Sequence, residues 1–147
     1  MKSILSFKQY DVIETIYKYD PSNKLESENV SPELSLKIQY QDQERETAVL
    51  LFSIELGDPQ LKDNSFYIKV VISGMFSIRA DGELSKEDID HMYKKNALAI
   101  LYPYIRSLVS DLSSKGSETP IILPPINVEA MVDNGFVSIE ETELINE

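Results

Sequence analysis

Four stretches of the chain alternate or cluster apolar residues with the period of a strand. FKQYDVIETIYKY at 7–19 is rich in aromatic and β-branched residues and stops at the turn cluster Asp20-Pro21-Ser22-Asn23. LSLKIQY at 34–40 puts Leu34, Leu36, Ile38 and Tyr40 on one face and Ser35, Lys37 and Gln39 on the other. AVLLFSIEL at 48–56 gathers Ala48, Leu50, Phe52, Ile54 and Leu56 on one face, while Val49 and Leu51 begin a second. FYIKVVISGMFSI at 66–78 is the fourth, and its Gly74 marks a bulge or a close backbone approach. Short polar connections between them predict an antiparallel meander.

The period changes at residue 85. Ser85 with Asp88 three residues on is a helix start, and Leu98, Leu101, Ile105, Leu108 and Leu112 recur at helical spacing. Tyr93, Ala97, Ile100 and Tyr104 make a second stripe beside the first. Pro103 removes the bond to the carbonyl of Ala99 and is expected to kink or divide the helix; Lys115 and Gly116 end it. Such a helix is about 45 Å long, more than a small sheet covers, and a second protomer is the simplest partner for the remainder. PIILPPIN at 120–127 must be extended because proline fixes φ, and NVEAMVDN reads as a short helix capped by Asn127. These elements define an α+β domain, a four-stranded antiparallel sheet with one long kinked helix and a short C-terminal helix, over residues 1–132. Residues 133–147 carry five acids and no base and read as a flexible acidic tail.

Composition narrows the chemistry. The net charge of −11 opposes a polyphosphate partner and favours basic polypeptides. The chain has no cysteine, so disulfides, thiolate metal sites and cysteine nucleophiles are excluded. The N-terminal stretch lacks a signal-peptide pattern and no apolar run is long enough to span a bilayer, so the expected location is cytoplasmic. Asn29-Val30-Ser31 matches a glycosylation sequon but reads as a plain loop without a secretory signal. His91 is the single histidine, phosphate-binding glycine motifs are absent, and no cofactor or enzymatic activity is expected. A calcium loop aligned on Gly82 would place Arg79 at a ligand position, where a cation repels the metal.

What remains is apolar surface: a two-striped helix and a proline-stiffened loop carrying Ile121, Ile122, Leu123 and Ile126. AILYPYIRSLVSDLSSKGSETPIILPPINVEAM at 99–131 resembles the long helix, crossover loop and short second helix of the SecB family of protein-export chaperones. Gly74-Met75-Phe76-Ser77-Ile78 is similar to that family's strand end, and Tyr17, Asp20 and Ser22 agree in the first half. The resemblance implies a homotetramer built as a dimer of dimers, and an apolar groove that holds unfolded polypeptide clients without ATP. Carried onto matching positions, the client-binding candidates are Phe76, Tyr102, Tyr104, Ile121, Leu123, Ile126, Val128 and Met131. It further implies docking to the Sec translocase motor ATPase through acids on the exposed sheet face, with Asp20 as the matching residue. Lys24 and Lys69 stand where motor-binding members carry acids, and two sign reversals oppose that docking. A SecB-like chaperone dedicated to one client such as an antitoxin, and a structural or adaptor oligomer without holdase activity, are the alternatives.

Overall fold

The computed structural model describes residues 5–23, 31–79, 84–116, 121–123 and 126–143. Among the described residues, five strands form one sheet: β1 Leu5–Tyr19, β2 Glu33–Tyr40, β3 Thr47–Gly57, β4 Phe66–Ile78 and β5 Val137–Thr142. Their spatial order is β1-β4-β3-β2-β5. Strands β2, β3 and β4 make the expected meander, but β1 lies beside β4 and not beside β2. The first strand therefore closes a Greek key, which neighbouring-strand pairing from the sequence alone does not anticipate.

Alternation fixes the two faces. Leu34, Leu36, Ile38 and Tyr40 of β2 and Ala48, Leu50, Phe52, Ile54 and Leu56 of β3 are all buried, while their intervening residues are not. Phe66, Ile68, Val70, Ile72, Phe76 and Ile78 extend that inner face across β4. One-residue shifts in the β1–β4 register fall at Phe7/Gln9 and Val12/Glu14, so the irregularities lie in β1, on the sheet edge. Gly74 serves instead the second expectation, close approach: a Cβ there would lie 2.8 Å from Leu101 Cδ2.

Helix α1 Lys86–His91 begins with a reciprocal cap, in which Ser85 Oγ accepts from Asp88 N at 3.1 Å and Asp88 Oδ2 accepts from Ser85 N at 3.2 Å. A π turn, Met92–Ala97, leads into α2, Leu98–Gly116. Pro103 lies inside α2 and does not divide it. Pro103 and Ala99 are both on the exposed side, where water can satisfy the carbonyl that proline leaves free. The departure from regular geometry falls at the π turn, a device that lets a helix change which side chains face its support. The buried face runs through Tyr93, Ala97, Leu101, Ile105, Val109 and Ser113, joined by Leu98 and Tyr102. Leu108, Leu112 and Ile100 are half-buried. Helix α3, Val128–Asp133, is capped by Asn127 Oδ1, which accepts from Ala130 N at 3.1 Å.

The acidic C-terminal segment departs most from expectation. Residues 137–142 are strand, parallel to β2, with Val137 opposite Leu34 and Ile139 opposite Leu36. Neutralisation explains it. Glu141 meets Lys94 at 2.5 Å and Arg45 at 3.8 Å, Glu143 also pairs with Arg45, and Glu140 lies 3.9 Å from Lys37. Arg45 itself is at positive φ, 59°, with its guanidinium 4.3 Å from the Tyr40 ring centre, and its carbonyl accepts from Tyr93 Oη at 2.6 Å. The β2–β3 turn thus positions one cation that ties the strand to the helix.

Candidate functional site

The crossover segment after α2 is held by two helix side chains. Ser113 is buried; its Oγ donates to the Val109 carbonyl at 2.9 Å and accepts from Ile121 N at 2.7 Å. About two turns earlier on the same side of α2, Arg106 Nε donates to the Leu123 carbonyl at 2.7 Å. An extended chain with no strand partner has its backbone groups satisfied this way, and its side chains are then fixed in direction.

Under that segment lies a cavity of about 440 Å3 lined by Pro32, Leu34, Ile54, Tyr102, Ile121, Ile122, Leu123, Ile126 and Met131. Each part has a separate source. Strands β2 and β3 supply the floor, α2 supplies Tyr102, the crossover supplies four residues, and α3 supplies Met131. All but the tyrosine hydroxyl are apolar side chains, so the cavity offers burial and little directional bonding. Burial pushes the Tyr102 phenol up, partly opposed by the Arg106 charge, so it stays a neutral wall group at neutral pH. Ile122 is 68% exposed at the cavity mouth, and Leu123 beside it is 5% exposed. A second cleft of about 380 Å3 shares Tyr102 and Ile126 and continues past Val128 to Lys95 and Glu129.

The residues singled out from the sequence separate into groups. Tyr102, Ile121, Leu123, Ile126 and Met131 line the cavity, and Val128 lines the adjoining cleft. Phe76 does not belong with them: it is fully buried, with its ring stacked on Phe7 at 5.0 Å between centres. An inward position on a central strand makes it core. Tyr104 is exposed but sits at the opposite, β1 end of the sheet, 4.5 Å from the Tyr10 ring and 5.8 Å from Phe7. Pro32, Leu34 and Ile54 are absent from the sequence-derived set. Strand alternation marks Leu34 and Ile54 as core, and Pro32 is an exposed residue just before β2, so only the chain's path over the β2–β3 end brings the three to one cavity.

The SecB family profile, described as preprotein translocase subunit SecB, matches residues 16–136, well over half of the sequence. The chain belongs to the SecB family. An uncharacterized protein of Methanocaldococcus jannaschii is 29% identical over 136 residues, covering 90% of this chain and 85% of its own. Protein-export protein SecB of Orientia tsutsugamushi is 24% identical and covers 96% and 80%. Among solved structures, a Mycobacterium tuberculosis SecB-like chaperone in complex with a peptide from the HigA1 antitoxin superposes with a TM-score of 0.64. It is 17% identical and covers 83% of this chain and 87% of its own, a likeness of fold.

Two described residues bear on the sheet-face docking expected from the family resemblance. Asp20 accepts from Ser22 N at 2.9 Å and from Ser22 Oγ at 2.6 Å, and these bonds hold its carboxyl below the usual range. Its charge closes a turn. Lys69 lies on the outer sheet face and meets Glu14 at 3.3 Å. Lys24 lies outside the described residues, as do Gly82, most of the sequon and the Pro124-Pro125 pair. Among the described residues no cluster of three or more histidine or acidic side chains is arranged to hold a metal. No described helix is long and apolar enough to cross a membrane.

Proposed function

We propose that this chain is an ATP-independent holdase chaperone that takes apolar segments of unfolded polypeptides into the cavity lined by residues 121–123, Ile126 and Met131. SecB membership and the fold shared with a SecB-like chaperone support the chaperone class. The observation that carries the binding mode is an apolar cavity roofed by one exposed isoleucine and held in shape by Ser113 and Arg106. Burial at roughly 25 cal/mol per Å2 is nondirectional, so a few apolar client side chains suffice and sequence selectivity stays low. A homotetramer would repeat the cavity and add avidity along one client chain. The free β1 edge, with Val12 and Ile13 about half exposed, is an apolar surface on which such pairing can start.

A narrower role, a chaperone dedicated to one client, draws support from Lys69 on the outer sheet face, which is unsuited to a motor that reads acids there. Site-specific photocrosslinking tests the binding mode. A photoreactive phenylalanine analogue at Ile122 should capture a permanently unfolded protein, and one at Met75, on the opposite sheet face, should not. Equal capture at both positions would remove the cavity from the account.

A further inference from the structure

Strand β5 completes the sheet on the β2 edge. It is six residues long, it adds to the β2 edge in parallel, and among the described residues β2 is its only strand neighbour. Parallel ladders are slightly weaker per residue than antiparallel ones, and short edge elements open at low free energy. The side chains that hold it form a pattern. Val137 and Ile139 sit opposite Leu34 and Leu36, and the acids that follow reach Lys37, Lys94 and Arg45. Leu34, which faces Val137 in the ladder, also lines the cavity under the crossover. The strand-accepting edge and the apolar cavity are therefore continuous.

We propose that the β2 edge is a strand-acceptor site for an extended polypeptide segment with alternating apolar residues followed by carboxylates, and that residues 137–142 are its resident occupant. The proposal rests on the chaperone reading and specifies part of what is bound. A segment of a client displaces β5, pairs its backbone with β2, sets its apolar side chains where Val137 and Ile139 lie, and directs its acids to the three cations. Main-chain pairing supplies affinity and the alternating side chains supply selectivity, as in other strand additions. The chain's net charge of −11 attracts basic polypeptides at long range, yet the local cations at this edge select an acidic segment once contact is made. The tethered strand lowers the apparent affinity of every incoming segment by the fraction of molecules in which the edge is closed.

The test uses the full chain and a labelled peptide, FVSIEETE, copied from residues 136–143. Ser35 and Ser138 are exposed register partners, and adjacent strands lie about 4.8 Å apart, inside the range a disulfide spans. Because the chain has no cysteine, the double variant Ser35→Cys, Ser138→Cys makes one reversible lock. The reduced form should bind the peptide saturably and the oxidised form at least about tenfold more weakly. Glu141→Gln with Glu143→Gln, which loosens the resident strand, should raise affinity roughly 2- to 30-fold. A peptide with its glutamates replaced by lysine should bind more weakly than FVSIEETE. Equal binding to the oxidised and reduced forms, or no binding to the reduced form, overturns the proposal.

An unfolded protein titrated into the same samples separates the two readings. Its binding to both forms alike, with no peptide binding, leaves the chaperone standing and removes strand exchange. Peptide binding without unfolded-protein binding does the reverse. Should the cysteine variant fail to fold, amide exchange on the unaltered chain decides. Residues 137–142 should exchange faster than 34–40 and faster still in high salt, and equal protection of the two strands overturns the proposal.

Discussion

Ile122→Ala is the most informative single change, because the residue is exposed in the free protein and buried only if a client covers it. Its side chain is 68% exposed at the cavity mouth. Full burial of an isoleucine side chain is worth about 1.5 to 3 kcal/mol, so covering the exposed two-thirds yields about 1 to 2 kcal/mol. That corresponds to about 5- to 30-fold in affinity for a segment that covers it. Stability should scarcely move, since little of the side chain is buried on folding. The assay is a fluorescence titration of a labelled, permanently unfolded protein, with a denaturant midpoint measured on the same preparation. A twofold or smaller change in affinity with an unchanged midpoint would refute the argument that the cavity mouth is a binding surface.

Other consequences can be checked independently. Ser113→Ala leaves the Ile121 N–H without its partner, so it should cost about 1 to 3 kcal/mol and speed amide exchange at 121–123 in hydrogen-exchange measurements. Gly74→Val places carbon against Leu101 and Phe76, and overpacking of about 1 to 3 kcal/mol should appear as a lower denaturant midpoint. Burial and the bond to Glu55 push the Tyr67 phenol up to about 12, and Tyr40 and Tyr93 are raised as well. Unfolded tyrosines ionise near their ordinary value of about 10, so this stability is complete below that pH and is lost as pH rises through about 12. Denaturant midpoints should fall across that window, and Tyr67→Phe should flatten part of the slope.

How much was legible in the sequence follows from which forces are local. Alternation in β2 and β3 revealed their buried faces residue by residue, because a strand covered on one side must alternate. The Ser85 and Asn127 caps were readable for the same reason: their bonds close within three residues. Strand β5 was not. VSIEET looks like a solvated tail until Arg45, Lys94 and Lys37, from distant parts of the chain, neutralise its acids. The π turn at Met92–Ala97 leaves no local mark, whereas Pro103 does, and α2 runs on through it without being divided. At the site, the resemblance named crossover residues that line the cavity. Phe76 was carried along by motif similarity although its strand position is inward. Ser113 and Arg106, which hold the crossover, escaped notice because a serine and an arginine on a helix look like ordinary surface residues.

The most direct measurement is light scattering from a chemically unfolded, slow-folding protein diluted into buffer with and without this chain, in the absence of nucleotide. Binding of apolar segments in the cavity predicts that scattering is suppressed at a near-stoichiometric ratio of this protein to client. Full aggregation beside intact, folded protein would contradict it, and the SecB fold here would then serve something other than holding unfolded chains.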